Sequence, residues 1–114
     1  MADIEIRAQA FWTDTEDGTI AVGFASSEDP DDGYVLFEGT AGAPVKTVYV
    51  EVSDEIFGSD DAIEAVAFTD TGFTLTLTPR AASKFGMVRE VEVHVAPDDA
   101  GGAAALVALK SLLG

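Results

Sequence analysis

The feature that most constrains this chain is a period of two. Ile4, Ile6, Ala8 and Ala10 alternate with Glu5, Arg7 and Gln9, and Ile20, Val22 and Phe24 follow the same rule. Val48, Val50 and Val52 alternate with Tyr49 and Glu51, Phe73, Leu75 and Leu77 with Thr74, Thr76 and Thr78, and Val91, Val93 and Val95 stand against Glu90, Glu92 and His94. Successive side chains of a strand point to opposite faces, so this spacing belongs to half-buried strands with one wet face. Tyr34–Phe37 and Ile63–Thr69 read as further strands, and the run through Val48 as a strand over Val45–Val52. Asp17-Gly18 and Asp70-Thr71-Gly72 punctuate them, because Gly accepts positive φ in hairpin turns. Pro79 closes the Phe73 strand, Arg80–Phe85 is one helical turn, and Gly86 stops it.

The period changes only at the end. Behind Asp98-Asp99, residues Leu106, Val107, Leu109, Leu112 and Leu113 recur at helical spacing, which predicts an amphipathic helix over about 98–113. Gly101-Gly102 weaken its first turn. The expectation is one domain over 1–114 of the α+β class. Its strands, within 3–95, form a curved, mostly antiparallel β-sheet of about seven strands, with the C-terminal helix packed on one face. An open sheet and a half-barrel both satisfy the pattern.

Composition narrows what such a fold can do. There are 21 acidic and 6 basic residues, a net charge of −15, one histidine and no cysteine. Apolar residues make up 47% of the chain, with seven Phe, so the acid load does not signify disorder. Nucleic acid needs clustered Lys and Arg, and the six basic residues are scattered, so neither nucleic acid nor an anionic membrane surface is expected as a partner. A cationic protein is, because opposite fields speed encounter. The same acidity also serves solubility or a saline host. The N-terminus lacks a secretory pattern and no run is long enough to span a bilayer, which predicts a cytoplasmic protein.

Catalytic equipment is sparse. His94 is the only imidazole, there is no thiol nucleophile, and His94 reads as a cross-strand surface residue. Carboxylate pairs such as Asp60-Asp61 are so numerous that chance explains them. No calcium-loop motif forms around Asp32-Gly33 or Asp17-Gly18, because Pro30 and Thr15 fall where acids belong. Gly39 to Gly42 lacks the Lys and Ser/Thr of a phosphate loop. No enzyme activity, metal or cofactor is expected. The surface remains. The loop Asp54, Glu55, Ile56, Phe57, Asp60 and Asp61 sets two apolar residues among acids, the composition of an interface core with a charged rim, although a plug of Ile56 and Phe57 tucked into the core is the more ordinary use of such a pair.

Four runs carry a resemblance. They are Gly33–Phe37, Val48–Glu55, Asp61–Val66 and Phe73–Leu77, and together they resemble the immunity protein 10 family of bacterial polymorphic toxin systems. Tyr49-Val50-Glu51-Val52-Ser53-Asp54 matches that family's "YVE-x-x-D" strand end, and the closing Leu-rich helix fits its tail. The resemblance covers about residues 33–113, and departs at Glu55, where the family often has Gln. It implies an intracellular antidote that neutralises a cationic toxin, often a nuclease, by occluding it. Asp54, Glu55, Asp60 and Asp61 would then stand in for phosphates. The alternative is a non-catalytic structural domain that forms a homodimer through a strand edge or the Leu-rich helix.

Overall fold

A computed structural model of the chain describes residues 3–29, 33–53 and 57–113, with Lys46 through its backbone only. The class is α+β, as the patterning predicts. Among the described residues, however, the strands number nine and form two sheets rather than one curved sheet of about seven. The smaller sheet has the order β1 (Ile4–Ala8), β9 (Glu90–Val95), β8 (Gly72–Leu77), β7 (Ile63–Thr69). The larger sheet runs β2 (Ala10–Glu16), β3 (Thr19–Ala25), β4 (Tyr34–Thr40), β5 (Tyr49–Val52), β6 (Gly58–Ser59). All pairings are antiparallel except β1 with β9, which is parallel.

The extra sheet arises at Gln9. Alternation runs unbroken from Ile4 to Ala10, which reads as a single strand. In the structure Ile6 and Ala8 are buried in the smaller sheet, and the Gln9 N–H then donates to the Ala25 carbonyl of the larger one. The phase slips by one residue there: Phe11, not Ala10, packs against the core. A second correction concerns Val45–Val52. Pro44 precedes a short 3-10 helix at Val45–Thr47, so only Tyr49–Val52 is strand. Other turn signals hold. Asp17 and Gly18, at φ 52° and 84°, join β2 to β3 as a two-residue hairpin turn. Thr78 caps α1 (Pro79–Lys84), its hydroxyl accepting from the Ala81 N–H, with Pro79 at the first helical position.

The two sheets pack face to face. Phe24 and Phe37 of the larger sheet meet Phe73 of the smaller one edge to face, at ring distances of 5.1 and 5.8 Å. α2 (Ala100–Leu113) covers the rest of the larger sheet's inner face, across β2, β3 and β4. Its buried stripe is Gly102, Ala105, Leu109 and Leu112, while Val107, expected to face inward, is 63% exposed. Asp99 accepts the Gly102 N–H at 3.0 Å and caps the helix. Both sheets and α2 contribute to one continuous core, and among the described residues no charged or polar side chain is buried. Among them, too, no helix is long and apolar enough to cross a membrane.

Asp3 fastens the parallel pairing at its start. Its carboxylate accepts the Arg89 N–H at 2.8 Å and the Glu90 N–H at 3.1 Å. These bonds, Arg89 first, hold its carboxyl below the ordinary aspartate value of about 3.9. A carboxyl whose folded pKa is depressed stabilises the fold above its unfolded pKa, and that contribution is lost as pH falls through the folded one. Asp3→Asn should therefore lower stability at neutral pH and flatten its decline as pH falls through and below the ordinary aspartate range, read by urea unfolding at several pH values.

Gly102 gives a sharper test of the helix seat. A Cβ there would lie 2.2 Å from Val95 Cγ1 and 3.0 Å from the Phe11 ring. Alanine would gain about 1 kcal/mol of helix propensity, but overpacking costs about 1–3 kcal/mol. Gly102→Ala is expected to lower the urea midpoint, whereas Gly101→Ala, at an exposed position, should be near neutral or stabilising.

Candidate functional site

The outward faces of the two sheets differ. On the smaller sheet the outward residues are threonines, charges and two alanines: Thr74 and Thr76 on β8, Glu90, Glu92 and His94 on β9, Glu5 and Arg7 on β1, and Ala65 and Ala67 on β7. This is an ordinary wet face. His94 Nε2 lies 2.6 Å from Glu92 on the same strand and 4.0 Å from Glu5 on neighbouring β1, ion pairs when the imidazole is protonated. Glu5, Glu92 and His94 could hold a divalent cation, since one ligand atom of each lies within 4.8 Å of the others. All three are solvent-accessible, and Arg7 already sits 3.5 Å from Glu5.

On the larger sheet the register builds something else. Trp12, Gly23, Leu36, Glu51 and Gly58 stand in one row across five strands. Asp14, Ala21, Glu38 and Tyr49 form the next row, and Ala10, Ala25 and Tyr34 lie on the other side. The centre of the face is therefore small residues, with aromatic rings laid over it. Two glycines make that possible. A Cβ on Gly23 would fall 2.0 Å from the Trp12 ring, so the indole rests directly on the β3 backbone. A Cβ on Gly58 would fall 1.9 Å from the Tyr49 hydroxyl. Trp12 is nevertheless 40% exposed and tilts against Tyr34 at a ring distance of 6.3 Å.

Glu51 sits among these rings. The Tyr49 hydroxyl donates to its Oε1 at 2.7 Å, and the Tyr34 hydroxyl donates to its Oε2. An ionised carboxylate has about four acceptor positions, so two hydroxyls orient Glu51 without exhausting it. Beside it a cavity of about 610 Å³ is lined by Trp12, Tyr34, Leu36, Ala25, Glu28 and Glu51, among others. At the opposite end of the same face a second recess of about 360 Å³ is lined by Asp14, Glu16, Asp17 and Glu38. Among the described residues no Lys or Arg stands at an outward position of β2–β6. The face can thus stack flat groups, accept hydrogen bonds and attract positive charge.

The residues singled out from sequence fall elsewhere or outside view. Asp54, Glu55 and Ile56 lie outside the described residues. Phe57 is half-buried and packs against the core. Asp60 and Asp61 are exposed and line a very small recess with Arg80. The loop nonetheless joins β5 to β6, the two strands that carry Glu51 and Gly58. Trp12 reads from sequence as either a core residue or an interface anchor, but nothing there brings it together with Tyr34 and Glu51, because they come from three strands and only the register unites them. One signal was present: Tyr49 and Glu51 occupy the polar phase of β5, and a Tyr in that phase beside an acid marks a face with more than solubility to serve.

No known protein family, curated protein or solved structure matches this chain.

The seat of Trp12 can be checked through its fluorescence, since it is the sole tryptophan. Gly23→Ala should lift the ring and shift its emission to longer wavelength, with a stability change below about 1 kcal/mol because the clash is with a side chain that can move. Unchanged emission would contradict the seat.

Proposed function

We propose that this chain is a binding protein rather than a catalyst, and that its partner is a cationic protein held by the outer face of the larger sheet. The observation that carries this reading is the union, on one face, of Trp12, Tyr34, Leu36 and Tyr49 with Asp14, Glu16, Glu38 and Glu51, without a basic residue between them. Aromatics supply contact area at low entropic cost, and rim charges steer a partner of opposite sign. The net charge of −15 acts in the same direction at longer range.

In its specific form, following the resemblance to immunity protein 10, the partner is a toxin met in the cytoplasm and neutralised by occlusion. The protein then turns nothing over. It lowers the free concentration of the toxin's active surface, and the acidic row Asp14–Glu38 covers basic groups that would otherwise meet a phosphate backbone.

The test is co-expression. The C-terminal domain encoded by the adjacent gene is expressed in cells with and without this chain. The reading predicts arrested growth, its rescue, and co-purification that weakens as salt rises. Reversing Asp14, Glu38 and Glu51 to Lys should abolish rescue while the variant still folds. A harmless neighbour, or rescue that survives the reversal, would overturn the reading or its surface respectively.

A further inference from the structure

We infer that the recess between Trp12 and Glu51 is a seat for an arginine side chain of the cationic partner, an inference that rests on the binding reading above. The cavity of about 610 Å³ has three qualities that together select this group. Its walls are aromatic, from Trp12 and Tyr34, whose rings are 6.3 Å apart and tilted by 56°. Among the described residues its charged lining is acidic, from Glu51 and Glu28. Its floor is low, because Ala25 lies beneath it and the neighbouring Gly23 carries no side chain.

A guanidinium matches all three. It is planar, weakly hydrated and stacks on aromatic faces, and its fork of N–H donors suits a carboxylate. Glu51 is prepared for this by Tyr34 and Tyr49. Each hydroxyl holds one of its oxygens and leaves the remaining lone pairs available. A lysine ammonium would also feel the charge. It is a strongly hydrated point and gains less from flat walls, so it is the weaker ligand here. A neutral flat ring would stack on Trp12 but gains nothing from two carboxylates. The acidic recess around Asp14 and Glu38, which lacks aromatic walls, lends general attraction and does not tell the two cations apart.

The experiment compares hexa-arginine with hexa-lysine, equal in charge, by isothermal titration calorimetry on the full chain at low salt and at about 0.5 M, where the screening length falls to a few ångströms. The expected result is that hexa-arginine binds at least about fivefold more tightly, with the preference persisting at high salt. Glu51→Gln keeps the shape and should cut hexa-arginine affinity by about tenfold, as removal of one charged partner does. Trp12→Ala should remove the preference for arginine. Asp70→Asn, in the β7–β8 turn, loses the same unit of charge and serves as the control, with circular dichroism confirming the fold of each variant. If Trp12→Ala does not fold, Glu51→Gln against Asp70→Asn carries the test alone. Equal affinity for the two peptides, or a Glu51→Gln effect no larger than that of Asp70→Asn, overturns the arginine seat while leaving a cationic partner standing. No binding of either peptide also overturns the seat, and the co-expression result then decides the wider reading by itself.

Discussion

The parallel ladder between β1 and β9 is the constraint on which the rest of this structure depends. It joins residues 4–8 to residues 91–95, about three quarters of the chain's length apart. Because β1 is committed to the smaller sheet, the chain must leave it at Gln9, and β2 becomes the edge of the larger one. That crossing decides which way Trp12 points. Had β1 and β2 been a single strand, as the alternation reads, Trp12 would share a face with Ile6 and Ala8 and lie in the core. The slip at Gln9 turns Phe11 inward and Trp12 outward, and the exposed aromatic face follows from it. Asp3, which clamps Arg89 and Glu90, guards the beginning of the same ladder.

A chain with net charge −15 repels itself when compact. The fold answers by sending its described charges outward and relying on burial for stability. Twenty-two of the described residues form one core, with Phe24, Phe37 and Phe73 at its centre. Exposed pairs such as Arg89–Glu64 at 3.0 Å are worth about 0–1 kcal/mol and do not offset the excess acid. The charge therefore contributes little to the fold. It is a burden that a cationic partner of the kind proposed would relieve.

Much of the fold was legible in the sequence. β7 over Ile63–Thr69, β9 around Val91–Val95, the Asp17-Gly18 turn and the C-terminal helix come directly from periodicity and turn chemistry. What was not legible depends on pairs distant in sequence. Nothing local distinguishes Ile4–Ala10 as one strand from two strands in different sheets. Val107 is apolar at a helical spacing yet faces out, because the seat of α2 is set by small residues, Gly102 and Ala105, that a search for large side chains overlooks. The site was the least legible element. Acids and aromatics adjacent in sequence drew attention to the Asp54–Asp61 loop, whereas Trp12, Tyr34 and Glu51 meet only through β-sheet register.

The account stands on one asymmetry, that the larger sheet's outer face binds cations selectively and the smaller sheet's outer face does not. Amide chemical-shift mapping with an arginine-rich peptide measures it directly. The account predicts perturbations concentrated at Trp12, Gly23, Tyr34, Leu36 and Glu51, with Thr74, Thr76 and Glu92 unmoved. Shifts spread evenly over the acids of both faces would contradict it, and would leave the aromatic cluster as part of the fold alone.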